Sequence, residues 1–184
     1  RQADKYHVPR IVFSNKMDKI GADFFMVVND VREKLGANPL PLQIPIGAEA
    51  DFEGIIDIVE EKAYIWHGEE LGAKYDVTDV PEQYKEKVAE LRKQRIELIA
   101  DYSDEVMNNY MEGKESTVAQ IKKAIRNATL QIKLIPMFCG TAFKNKGVQP
   151  LLDAVCDYLP CPLDRKAFKG FVPGTEEPAE RPVD

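Results

Sequence analysis

The spacing of apolar positions changes several times along the chain, and each change predicts a different element. Ile11-Val12-Phe13 is a short, mostly β-branched run between Pro9 and a polar turn, the pattern of a buried strand. Beyond Gly21, Phe24, Val27, Val28, Val31 and Leu35 recur with helical spacing, with Asp23 placed as N-cap and Gly36 as the stop. From Pro39-Leu40-Pro41 the spacing shortens, and Leu42, Ile44 and Ile46 alternate as in a half-buried strand. Gly54 introduces Ile55, Ile56, Ile58 and Val59, and Ala63-Tyr64-Ile65-Trp66 adds a further run. A weaker run surrounds Tyr75 and Val77 after a loop from Gly68 to Gly72. Strands so close together, with no helix between them, predict a small antiparallel sheet.

Helical spacing then returns. Tyr84, Val88, Leu91, Leu98, Ile99 and Tyr102 form one stripe of a helix from Pro81 to about Tyr102. A second helix covers Asp104 to Met111 and stops at Gly113. Thr117 with Gln120 three residues on forms a capping box for a third, through Ile121, Ile125 and Ala128. Leu134 to Phe138 reads as a strand, and Val148, Leu151, Leu152 and Val155 as a helix ending before Pro160. The order predicts an α/β fold, a doubly wound sheet carrying an inserted α+β subdomain. On this reading residues 1–38 and 132–160 form the α/β part, 39–131 the insertion and 161–184 a linker.

Composition narrows the picture. At 184 residues, 44% hydrophobic and 30% charged, the chain is globular rather than disordered. Its formal charge of −6 argues against a bulk electrostatic grip on nucleic acid. No apolar run approaches the length of about 20 residues that a membrane helix needs, and no secretory signal is visible. Cys139, Cys156 and Cys161 form no paired motif, and with only His7 and His67 besides they make no zinc pattern. Reduced thiols in the cytoplasm are the simplest reading. The chain begins at Arg1 without Met and stops in the Pro-rich stretch Pro173 to Pro182, as a piece of a longer protein would.

The chemistry concentrates at two strand ends. Asn15-Lys16-Met17-Asp18 follows the first strand, where open α/β sheets bind ligands. Guanine presents two adjacent donors, N1–H and the exocyclic amino group, and one ionised carboxylate such as Asp18 can accept both. Adenine offers no such pair, so a site built this way leaves its carboxylate unpaired with the wrong base. Lys16 would lay its aliphatic stem along the base face, and Asn15 would tie the loop to its neighbours. A polar turn after a strand is also a common place for these residue types without any ligand. After the second αβ strand comes Cys139-Gly140-Thr141-Ala142-Phe143-Lys144-Asn145, whose small Thr-Ala pair lets backbone N–H groups approach the guanine O6.

Asn15-Lys16-Met17-Asp18 with Gly140-Thr141-Ala142-Phe143 resembles the fourth and fifth guanine-nucleotide motifs of translational GTPases. Pro41 to Glu49, Phe143 to Gln149 and Leu152 to Pro160 resemble the elongation factor G family in particular, as does the opening Arg1 to Tyr6. The likeness extends from Arg1 to about Asp164 and departs at Thr141, where the family often has Ser. It implies the trailing half of a P-loop-NTPase-type sheet, with Asn15, Lys16 and Asp18 selecting guanine and Thr141, Ala142 and Phe143 closing the base pocket. About 120 residues separate Asp18 from Thr141, and the resemblance implies that they hold the inserted subdomain called G-prime.

No segment fits the phosphate loop GxxxxGK[ST], and the switch segments and magnesium-binding Thr are absent as well. Asp51-Phe52-Glu53-Gly54 matches D-x-x-G, but it falls after the guanine motif and inside the insertion, so it reads as a turn leading into a strand. The expectation is a chain that selects the base of GTP or GDP without handling phosphates or Mg2+, inactive alone, within a ribosomal GTPase. Lys85, Lys87, Arg92, Lys93 and Arg95 interleave with glutamates on the Pro81–Tyr102 helix, which in sequence terms is a solvated face. The resemblance implies instead that Lys85, Arg92, Lys93 and Arg95 meet the C-terminal domain of the ribosomal stalk protein. The same motifs suit a ribosome-protection or ribosome-recycling relative, and a protein-binding module without a nucleotide role is the rival of a different class.

Overall fold

A computed structural model describes residues 2–67, 74–164 and 167–181; the expected loop from Gly68 to Gly72 lies outside them. After a short helix α1 (Gln2–Lys5), β1 (Val12–Ser14) leads to α2 (Phe24–Leu35). Asp23 caps α2 by accepting the Met26 N–H at 3.0 Å, and Gly36 ends it. Next come β2 (Pro39–Pro41), β3 (Gln43–Ile46), β4 (Gly54–Asp57), β5 (Lys62–Trp66) and β6 (Tyr75–Asp79). Three helices follow: α3 (Glu82–Ala100), α4 (Asp104–Met111) and α5 (Val118–Leu130). The capping box of Thr117 and Gln120 is present in full at the start of α5. Then β7 (Ile135–Cys139) leads to α6 (Val148–Tyr158) and a hairpin of β8 (Phe168–Phe171) and β9 (Pro178–Arg181).

The mixed α/β architecture with an additional antiparallel sheet is the predicted one. A parallel sheet of order β1-β7-β2 packs helices on both faces, and a four-stranded antiparallel sheet runs β3-β4-β5-β6. On one face of the parallel sheet, Leu40, Leu42 and Phe138 meet Ile99, Ile121, Ile125, Ala154 and Tyr158. On the other, Met137 and Cys139 meet Phe24, Val28 and Val31 of α2, with Phe52, Ile55 and Trp66 from the antiparallel side. The antiparallel sheet has its own core of Ile44, Ile46, Ile56, Ile58 and Ala63, covered by Val80 and Val88.

The structure corrects the reading from Pro39 onward. It is not one half-buried strand but two strands in two sheets, both faces largely covered. β2 pairs parallel with β7, Leu40 opposite Pro136, whereas β3 pairs antiparallel with β4. Leu42 sits at the crossing: its N–H donates to Met137 and its carbonyl accepts from Ile58. Pro39 and Pro41 lack a donor, which suits the edge position of β2. Leu98, assigned to the buried stripe of α3, is exposed; Val88, Ile99 and Ala100 are the buried residues of that helix.

The stretch read as a linker also holds structure. The β8–β9 hairpin closes around Val172-Pro173-Gly174-Thr175, with the Thr175 N–H donating to the Val172 carbonyl at 3.0 Å. The D-x-x-G match does lead into a strand. Gly54 opens β4, and a Cβ there would overlap the Tyr64 carbonyl of β5.

Candidate functional site

β1 and β7 run parallel with Ser14 opposite Cys139, so loops 15–18 and 140–147 leave the same sheet edge side by side. Backbone bonds lace them together. The Gly140 N–H donates to Ser14 at 3.0 Å, and the Met17 N–H to Gly140 at 3.1 Å. The Asn15 Oδ1 accepts the Lys16 N–H at 2.8 Å and the Ala142 N–H at 3.0 Å, so one side chain holds both loops. Met17 points into the core beside Phe24 and Met137, which fixes the backbone on either side of it. Gly147 leaves the second loop at φ 83°, with space for a Cβ taken by the Cys139 carbonyl at 2.6 Å.

Asp18 is the most constrained polar group here. Its side chain is 6% exposed, and Oδ2 pairs with the Lys144 ammonium at 3.1 Å. Oδ1 is buried and has no hydrogen-bond partner among the described residues. Burial works against the charge, but the neighbouring Thr141 hydroxyl and Lys144 outweigh it and hold the carboxyl below the usual range. An ionised carboxylate with an unsatisfied oxygen at a sheet edge is an acceptor for a ligand's donors.

The structure therefore brings together Asn15, Lys16, Asp18, Thr141 and Ala142. Thr141 is buried, and its N–H and carbonyl both pair with Lys146. Lys16 is exposed at φ 63°. Phe143, expected to help close the pocket, instead stands 90% exposed on the short turn Ala142–Lys144. Lys144 is not among the residues that the sequence places in the site; nothing in the order of residues says that it reaches Asp18.

The four basic residues of α3 do not form one free surface. Arg92 is 16% exposed and paired with Glu61 at 3.2 Å. Arg95 donates from Nε to the Pro41 carbonyl at 3.0 Å, and burial lowers its pKa. Lys85 and Lys93 are exposed, Lys85 paired with Glu82 at 2.6 Å. Arg92 and Lys93 also line a cavity of about 420 Å³ with Glu61, Ile96, Tyr110 and Lys114.

The family model for the elongation factor Tu GTP-binding domain matches residues 1–161. The chain belongs to the elongation factor Tu GTP-binding domain family. That family comprises GTP-binding domains of the translation-factor type, and the match takes in most of the chain. A solved structure from Thermus thermophilus is similar, with a TM-score of 0.75 and 29% identity. The match covers 89% of this chain and 24% of the solved one, so the chain spans about a quarter of the length of that relative. No helix among the described residues is long and apolar enough to cross a membrane.

Proposed function

We propose that this chain supplies the guanine-base pocket of a ribosomal translocase of the elongation factor G kind. Asp18 accepts guanine N1–H and the exocyclic amino group. Lys16 covers the base face with its stem. Asn15 locks the first loop to the second by accepting the Ala142 N–H, and Thr141, its own N–H held by Lys146, backs the pocket beside Asp18. Phe143 and Lys144 flank the opening. The observation that carries this reading is the buried, unpartnered Oδ1 of Asp18 beside an Oδ2 held by Lys144. Each carboxylate oxygen accepts two bonds, so the ion pair leaves room for a base.

No phosphate loop occurs within these 184 residues, so none of them is assigned to the phosphates or Mg2+ of GTP or GDP. On this reading the chain alone does not hydrolyse GTP. We read the G-prime insertion as starting after Pro41 rather than at Pro39, and the pairing of β2 within the parallel sheet supports this start. Its exposed Lys85 and Lys93 are the candidates for a stalk-protein contact on the ribosome, with Arg92 and Arg95 committed within the fold.

The test is Asp18→Asn in the longest protein that carries this chain, with GDP and xanthosine diphosphate titrated in parallel. An amide keeps one acceptor and adds a donor that suits the second carbonyl of xanthine. GDP binding is expected to weaken and xanthosine diphosphate binding to strengthen, each by about tenfold or more. Unchanged GDP affinity removes Asp18 from the base site.

A further inference from the structure

The second loop of the base pocket and the turn that continues the first, Lys19–Ala22, are both tied to one turn of the antiparallel subdomain. Residues 47–53 connect β3 to β4 through a single 3-10 turn, Glu49–Asp51. From this turn, Glu49 Oε1 accepts the Gly21 N–H at 2.8 Å, in the segment directly after Asp18. From the other loop, Lys146 Nζ donates to the Phe52 carbonyl at 3.1 Å. Phe52 is buried in one core cluster with Met17, Phe24, Met137 and Cys139.

The turn is braced by its own backbone bonds and by a close approach at Gly47. The Glu53 N–H donates to Ile46 and the Phe52 N–H to Glu49, both at 3.1 Å. Gly47 lies so close to the Asp51 carbonyl that any Cβ would overlap it. Glu49 itself sits at φ 54°, a sparsely populated region for a glutamate. The backbone there delivers a carboxylate to Gly21 in a conformation that Gly or Asn would adopt more easily.

Asp18 stands on the first loop and Lys144, which holds its Oδ2, on the second, with Asn15 joined to Ala142 across them. The gap between the loops therefore decides how the carboxylate meets the donors of the base. We propose that the 47–53 turn sets this gap, with Glu49 and Lys146 as positioning residues that govern base selectivity without touching the base. The proposal rests on the base-site assignment above. It predicts that loosening either tie costs discrimination between bases more than it costs the fold.

The experiment compares GDP with inosine diphosphate, whose base lacks the exocyclic amino group, on the longest protein carrying this chain. Glu49→Gly suits the observed φ and removes the carboxylate; Lys146→Met removes the second tie; Glu49→Gln keeps an acceptor for Gly21. The GDP preference is expected to fall at least about threefold in Glu49→Gly and Lys146→Met, and to stay within about twofold in Glu49→Gln. Amide exchange at Gly21 is expected to quicken about tenfold in Glu49→Gly. A general loss of packing would lower the melting temperature of all variants and leave the preference intact, which overturns the proposal. If Asp18→Asn alters the preference while Glu49→Gly and Lys146→Met do not, the clamp fails alone. If Asp18→Asn changes nothing, the base assignment fails and takes this role with it, and Gly21 exchange then reports only a structural bond.

Discussion

Asn15 turns its carbonyl oxygen on the protein, accepting from Lys16 and from Ala142 across the two loops. Asn15→Ala leaves two N–H groups without that partner in a partly hydrated site. The expected loss is about 1 kcal/mol, read from urea unfolding, with faster amide exchange at Ala142 as the local sign. Gly147→Ala meets both a positive φ and the Cys139 carbonyl, and about 2 kcal/mol or more of stability is expected to go. The residues of the first loop are legible in the sequence because their chemistry is carried by spacing alone. The ion pair of Lys144 with Asp18 is not, because it depends on the distance between two loops more than a hundred residues apart in the chain. Phe143 departs from its expected place for a related reason: residue type marks it as apolar, but the short turn aims it at solvent.

Elements with a local signature are the legible ones. The Asp23 cap, the Gly36 stop and the capping box of Thr117 and Gln120 all involve residues within one turn of each other. Thr117→Ala is expected to cost about 1 kcal/mol, visible as a lower urea midpoint with an unchanged slope. The segment from Pro39 to Ile46 is less legible, since short apolar runs do not reveal which sheet they join. There β2 pairs with a strand reached only after α5, and β3 with its sequence neighbour. The β8–β9 hairpin carries a usable signal in Pro173-Gly174, but its four-residue strands are too short for periodicity to show.

At the scale of the molecule, a cluster of charges joins the antiparallel subdomain to the α/β part. Lys122 of α5 donates to Glu60 at 2.7 Å and pairs with Asp157 of α6 at 3.0 Å, while the Tyr64 hydroxyl donates to Glu60 at 3.0 Å. Beside them, burial pushes the Asp57 carboxyl up to about 6, against the opposing backbone bonds from Glu60 and Val59 and with Glu60's charge adding to the rise. A carboxyl whose pKa is raised on folding favours the folded state when protonated, so its effect is to lower stability as pH climbs from about 4 to about 6. Asp57→Asn keeps an acceptor for Val59 and Glu60 and removes the charge. It is expected to match the parent near pH 3 and to be more stable by about 1–2 kcal/mol at pH 7, measured by thermal unfolding across that range. Glu60 runs the other way. Lys122 holds its pKa down, so its contribution is present above pH 4.5 and lost on acidification. The longer helices, their caps and the first loop's residue types were settled by the chain's own pattern, because propensity, capping and hydrophobic period act over a few neighbouring residues. Which strands pair across the insertion, which lysine meets Asp18, and how the 47–53 turn ties the second loop to the turn after the first were settled by folding, because burial and hydrogen bonding join groups that sequence keeps far apart.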